Sequence, residues 1–259
     1  MVGGHRGRTI RQNLRSAVSL LRRGDLRPFA RYLQFRLRRT DPYYRRIFRL
    51  RLRDWLAYHQ SNVVYDRCTW MGVPALKNPL DAWIYQEILH DVRPEVVIEL
   101  GSAAGGGTLY LAHLLDMLGE GTVLSVDIDR TSFVAEHERI VAVTGHTTAP
   151  ETLQRVRSLC EGKRVLVIHD ADHHEEQVLE DLLAYAPLVS VGSYLIVEDG
   201  IVDLFGPHEA LGVLYGGPLP ATQEFLRRNS GFQVDSERER YLLTYNPRGF
   251  LRRVAPDNS

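Results

Sequence analysis

The chain has 259 residues, 44% of them hydrophobic, enough to bury one substantial core or one core with a small appendage. Two cysteines, Cys68 and Cys160, give neither a disulfide framework nor a zinc-ligand spacing; no run approaches the roughly 18 apolar residues of a membrane span and no signal-peptide-like region is seen, so a soluble cytoplasmic protein is expected. The net charge of zero joins two opposite parts: residues 1–60 hold sixteen arginines against three aspartates, a balance of +13, and residues 61–259 hold sixteen Lys or Arg against 29 acids, a balance of −13.

The basic part, residues 1–60, reads as a helical N-terminal extension. In "RTIRQNLRSAVSLLRR", Ile10, Leu14, Val18 and Leu21 form one stripe at helical spacing, with Arg11, Arg15, Arg22 and Arg23 outside it. Pro28 can open a second helix, and Thr40-Asp41-Pro42 reads as the cap of a third that carries Ile47, Phe48, Leu52, Trp55 and Leu56. Docking on the body or on a partner subunit is the main expectation, with a homo-oligomer as its consequence. Arginine beside an apolar stripe also suits peripheral contact with an anionic inner membrane surface. No nucleic-acid motif accompanies the charge, so nucleic acid is not an expected partner.

From residue 80 to 199 strands and helices alternate within the body, residues 61–259. Helices are predicted at "DAWIYQEILHDV", "GTLYLAHLLDML", "ETLQRVRSLCEG" and "EEQVLEDLLAYAPLV", and strands at "EVVIEL", "GTVLSVDI", "RVLVIHD" and "SYLIVED". Short apolar strands joined by helices predict an α/β fold: a doubly wound, mostly parallel sheet covered on both faces. Ligands of such sheets bind beyond the carboxyl ends of the strands. Those ends carry Glu99, Asp127, Asp170 and Glu198-Asp199.

The first strand runs into "ELGSAAGGGT", whose glycines let backbone approach a ligand and whose following helix offers free N–H groups. Ala103 breaks the G-x-G-x-x-G dinucleotide pattern. Acids before the loop and at the next strand end instead suit a nucleoside that carries a cation, with Asp127 on the ribose hydroxyls and Glu99 ordering the loop or meeting the ammonium. That combination points to S-adenosylmethionine.

"IHDADHHEEQ", residues 168–177, ends the third strand. Asp170 with Glu198 and Asp199 of the next strand end makes a hard oxygen site suited to Mg²⁺ or Mn²⁺. Asp172 and Glu175 suit the cap and first turn of the following helix. Lys77 and Lys163 are the only lysines, so a lysine base is not available three positions after Asp170, where His173 stands. Residues 202–220, rich in Gly and Pro, read as a lid. Trp70, Trp83 and Tyr215 can stack on a sugar face, although core packing is the stronger expectation for Trp83.

The stretches "ELGSAAGGGT", "LSVDID", "HDADHHEEQVLEDLLAYAPLVSVGSYLIVEDG" and "YNPRGFLRR", with "TWMGVPALKNPLDAWIYQEIL" before them, resemble the cephalosporin hydroxylase / rhamnosyl O-methyltransferase family from about Thr69 to Arg253. The resemblance implies a Rossmann-like class I methyltransferase fold that uses S-adenosylmethionine and a divalent metal. The implied reaction is methylation of a sugar hydroxyl on a glycolipid or other small-molecule acceptor. It implies cofactor contacts from Glu99, Gly101, Ser102, Gly105, Asp127 and Asp170, with His146 and Thr147 of "VTGHTT" near the adenine, and metal ligands Asp170, Glu198 and Asp199. A likeness to catechol O-methyltransferase, in which a base follows the first metal acid by three positions, places the general base at His173. His169 stands where the cephalosporin hydroxylase / rhamnosyl O-methyltransferase family more often has an aliphatic residue. Two alternatives remain: an oxygenase, which wants two histidines and one carboxylate and whose His-x-Asp spacing breaks at Ala171, and a non-catalytic nucleoside-binding protein.

Overall fold

The computed structural model describes residues 49–205 and 217–256. The apolar stripe through Ile10 and Leu21, the turn at Pro28, the cap at Asp41 and Tyr215 therefore lie outside the described residues. Two compact units divide between Trp55 and Leu56. Helix α1, Leu52–His59, continues as a π-helical turn, Gln60–Val64, and a helical turn, Tyr65–Arg67. No helix among the described residues is long and apolar enough to cross a membrane.

A two-stranded hairpin, β1 (Thr69–Trp70) and β2 (Val73–Pro74), precedes helix α2, Pro79–Val92. Asn78 caps α2 by accepting from Leu80 N–H, and Pro79 sits at the first position, where its missing N–H is no loss. Then come β3 (Val96–Leu100), α3 (Gly106–Leu118), β4 (Thr122–Asp127), β5 (Ile140–Thr144), α4 (Pro150–Cys160), β6 (Val165–His169), α5 (Glu175–Tyr185), β7 (Tyr194–Val197), α6 (Pro218–Arg228), β8 (Phe232–Val234) and β9 (Phe250–Arg253).

The last seven strands form one sheet in the order β5-β4-β3-β6-β7-β9-β8. Pairing is parallel from β5 through β7, and β9 runs antiparallel to both neighbours. This is the expected doubly wound sheet, a class I methyltransferase fold. Period-two alternation divides its core. Val96, Ile98 and Leu100 face a cluster with Val156, Val178, Leu182 and Phe225 of α4, α5 and α6. Val97 faces the other way, toward Ile84, Ile88, Leu111 and Leu115 of α2 and α3.

The chain winds outward from β3 to β5 and returns through α4 to β6, on the other side of β3. The loops after β3 and β6 diverge at this switch point and open a crevice there.

Besides the short hairpin β1–β2, three strands of the large sheet escaped the sequence reading. β5 is a half-exposed edge with no preceding helix, and β8 and β9 are short, with Arg252 and Arg253 inside β9. Trp83 corrects another expectation: the buried stripe of α2 is Asp81, Ile84, Tyr85, Ile88 and Leu89, so Trp83 turns outward and is 59% exposed. Of the expected lid, Val202–Leu204 belong to a 3₁₀ turn and Pro218–Pro220 open α6, while residues 206–216 are outside the described set.

Candidate active site

The loop from Gly101 to Gly105 is shaped by close approach. Gly101 has φ +82°, and a Cβ there would lie 2.0 Å from the Asp170 carbonyl oxygen. The two strand-end loops can pass at this distance only because residue 101 has no side chain. Gly105, φ +90°, is the N-cap of α3 and packs on Ala135 and Phe133; it is not on the cavity wall. Asp127, at the end of β4, braces the loop. Its Oδ2 accepts from Ser102 N at 2.7 Å and Ala103 N at 3.1 Å, and its Oδ1 from Asp129 N at 3.1 Å. Of roughly four lone-pair sites on a carboxylate, about one is left for a ligand.

A cavity of about 680 Å³ lies over the crevice, bounded by Gly101, Ser102 and Asp127 on one side and by Asp170, His173 and Asp199 on the other. His146, exposed, and Thr147, buried, lie on its wall past β5. Apart from Gly105 and Glu198, the residues expected to bind a nucleoside and those expected to hold a metal face one cavity.

Asp170, His173 and Asp199 each offer a ligand atom, and these atoms all lie within 4.8 Å of one another. His173 Nε2 is 3.2 Å from Asp199 Oδ2. Burial lowers the His173 pKa, but the hydrogen bond and charge of Asp199, with Asp170 and Asp172, outweigh it and carry it up to about 9.

Glu198 is elsewhere. Lys77, on the segment between β2 and α2, donates to Glu198 Oε1 at 2.8 Å and to Asp170 Oδ2 at 2.6 Å. Sequence reading, which asked only whether a lysine stood at position 173, missed this ion-pair role of Lys77. Glycine makes the room: a Cβ at Gly107 would lie 2.7 Å from Lys77 Cε and 2.8 Å from Glu99 Oε1. Glu99, buried on β3, also accepts from Thr108 Oγ1. Three carboxylates, Glu99 and Glu198 buried and Asp170 half-buried, thus surround one ammonium. Burial raises Glu99 to about 7 and Glu198 to about 8 despite the pull of Lys77. Burial alone would lower Lys77, but Asp170, Glu198 and Glu99 hold it well above its ordinary value. A sequence signal for Lys77 existed: in a chain that uses arginine almost throughout, "ALKNPLD" keeps a lysine, whose slim ammonium fits a slot that a planar guanidinium would overfill.

The other two histidines of this stretch, His169 and His174, are engaged away from the cluster. His169 Nε2 lies 2.9 Å from Asp181 Oδ2 inside the core, and Asp181 Oδ1 accepts from Thr147 Oγ1 at 2.5 Å. His174 is exposed on Asp172. Asp172 does not cap α5 directly; its Oδ1 accepts from His174 N–H, one residue before the helix. Among the described residues the cluster therefore offers one imidazole and two carboxylates, where an oxygenase triad wants two imidazoles and one carboxylate.

Residues 62–254 match the family profile described as Rhamnosyl O-methyltransferase/CmcI. The chain belongs to the rhamnosyl O-methyltransferase/CmcI family. It is 36% identical over 206 residues to a rhamnosyl O-methyltransferase of Mycobacterium leprae (strain TN), covering 76% of this chain and 88% of that protein. The same name attaches to a Mycobacterium tuberculosis (strain ATCC 25618 / H37Rv) protein, 32% identical over 207 residues, with 76% and 83% covered. A CmcI structure described as "cmcI-D160 Mg-SAM" aligns with TM-score 0.56 and 23% identity over 73% of this chain and 77% of that one, a likeness of fold. Family and fold make the chain an O-methyltransferase, as the resemblance in its motifs implied.

Proposed function

We propose that the protein transfers a methyl group from S-adenosylmethionine to a hydroxyl of a sugar, assisted by a divalent metal such as Mg²⁺. One observation carries this reading: the glycine loop braced by Asp127 and the cluster of Asp170, His173 and Asp199 open on the same cavity. The relatives' names support a rhamnosyl acceptor. The description of the CmcI structure, which includes Mg and SAM, supports the cofactor and the metal.

The donor set fits a hard divalent ion. Asp170 and Asp199 would hold it, with His173 beside them and Glu198 held in reserve on Lys77. Such an ion supplies acidity to a bound hydroxyl, because sugar hydroxyls are too weakly acidic for imidazole alone. S-adenosylmethionine supplies the methyl group on a sulfonium leaving group.

The rest falls to this chain's own side chains. The Gly101–Ser102 backbone and Asp127 position the nucleoside, and His146 and Thr147 border its far end. His173 Nε2 takes the proton of the acceptor hydroxyl. Without a bound cation the imidazole keeps its own proton, since Asp199 supports the charged form. With Asp170 and Asp199 holding a cation, that support would be withdrawn, leaving His173 Nε2 able to act as the base. Holding donor and acceptor together in one cavity supplies much of the acceleration.

The test is methyl transfer to an alkyl rhamnoside, followed by mass spectrometry. The wild type should form methylated sugar and S-adenosylhomocysteine, and His173→Ala should lower kcat by roughly 10²–10⁴, the usual range for loss of a general base. Wild-type kcat in His173→Ala would remove the base from this residue.

A further inference from the structure

The π-helical turn Gln60–Val64 interrupts an otherwise α-helical path. Such turns are rare and are frequently found at functional sites. This one sets Gln60, Val64 and Tyr65 on the wall of the cavity that also holds Asp170, His173 and Asp199.

Gln60 Nε2 donates to Asp199 Oδ1 at 3.4 Å. That contact fixes the sense of the amide, because the reverse would set two acceptor oxygens against each other. Oε1 is the atom left over, and it is buried without a hydrogen-bond partner. Buried polar atoms are nearly always paired, so an unpaired one on a cavity wall marks a missing donor. The other described atoms in that condition, on Arg130, Ser193 and Arg238, are not on the cavity wall.

The chemistry of the missing donor is restricted. It must carry an O–H or N–H, because Oε1 only accepts. Negative charge is disfavoured, because Asp199 stands beside the same amide. The final amide torsion of glutamine is soft, so the long 3.4 Å contact to Asp199 leaves the amide room to turn Oε1 toward a donor entering the cavity. Tyr65, in the next helical turn and 72% exposed, adds a ring face suited to a pyranose.

We infer that Gln60 is a specificity-determining residue whose Oε1 accepts a hydrogen bond from a second, neighbouring hydroxyl of the polyol acceptor, beside the hydroxyl that is methylated. This rests on the sugar methyltransferase reading and narrows it to acceptors with a free hydroxyl next to the reacting one. Gln60 precedes the span 62–254 shared with the family profile, so this determinant is not part of what the profile matches.

The test uses octyl α-L-rhamnopyranoside and its monodeoxy analogues as probes, with the full chain. Wild type should prefer the parent rhamnoside over one analogue that keeps the reacting hydroxyl by about 10- to 100-fold in kcat/KM, the range expected when a site's hydrogen-bonding group loses its partner. Gln60→Leu should reduce that preference to within about threefold, mainly by raising KM for the parent compound, with affinity for S-adenosylhomocysteine by calorimetry unchanged. A wild type indifferent to every single deoxygenation that leaves the reacting hydroxyl overturns the inference without any variant. So does a folded Gln60→Leu enzyme that keeps the wild-type preference. Absence of methyl transfer by the wild type to any rhamnoside counts against the sugar reading itself and takes this inference with it, whereas transfer with a flat deoxy series removes the inference alone.

Discussion

Lys77 Nζ lies 2.6 Å from Asp170 Oδ2, so the chain brings its own cation to the carboxylates that close the crevice. Replacing it should be costly. Lys77→Met would leave Glu99, Asp170 and Glu198 clustered and unneutralised, and breaking a buried ion pair from one side costs about 3–5 kcal/mol. Urea unfolding at about pH 9, where Glu99 and Glu198 are ionised, should show a loss of that order, partly recovered at about pH 6 as they protonate. A loss under about 1 kcal/mol would mean that Lys77 is dispensable to the fold.

Gly101 is the second point of stress. Gly101→Ala would set a Cβ 2.0 Å from the Asp170 carbonyl oxygen and hold alanine at φ +82°. Both loops would have to move. A cost of at least about 2 kcal/mol in stability is expected from strain of this kind, together with loss of measurable cofactor binding. A thermal melt within 1 °C of wild type would contradict the close approach.

Asp127 carries a double load, bracing Ser102 and Ala103 while keeping about one lone-pair site for a ligand. Asp127→Ala should weaken S-adenosylmethionine at least tenfold, since losing a charged hydrogen-bond acceptor costs about 1.5–3 kcal/mol. Calorimetry checks it. Unchanged affinity would limit Asp127 to bracing, or to nothing.

Much of this was legible in the sequence. Apolar strands with an acid at each end announced the parallel sheet and the edge on which its chemistry sits, because burial on both faces demands continuous apolar runs. β5, β8 and β9 were not legible: half-exposed or arginine-bearing segments carry little strand signal, and their pairing is decided by the strands beside them. The spacing of Asp170, His173 and Asp199 was readable because all three sit within a few residues of adjacent strand ends. Lys77 was not, since it lies 93 residues from Asp170 in the chain and only the packing of the β2–α2 segment on Gly106 and Gly107 brings it there. Gln60 escaped for a related reason: a π-turn leaves no periodicity to read.

Asp81 gives the fold a pH dependence of its own. Burial raises its carboxyl from 3.8 to about 6, against the hydrogen bonds of Thr244, Tyr245 and Asn78. The native state then binds more protons than the unfolded chain between those values, so stability falls as pH rises through that window. The contribution is fully present below about pH 4 and lost above about pH 6, with a magnitude on the order of 3 kcal/mol. Asp81→Asn cannot titrate, so its melting temperature relative to wild type should rise between pH 4 and 6.5. A constant difference across that range would show that Asp81 ionises normally.

Metal-assisted methyl transfer at one cavity is the central claim, and chelation tests it most directly. Wild-type protein, S-adenosylmethionine and an alkyl rhamnoside are incubated with excess EDTA and then with Mg²⁺ restored, and methylated sugar is measured by mass spectrometry. The account predicts that EDTA abolishes product, that Mg²⁺ restores it, and that S-adenosylmethionine affinity stays within a few-fold throughout. Full turnover in excess EDTA would contradict the role given to Asp170 and Asp199.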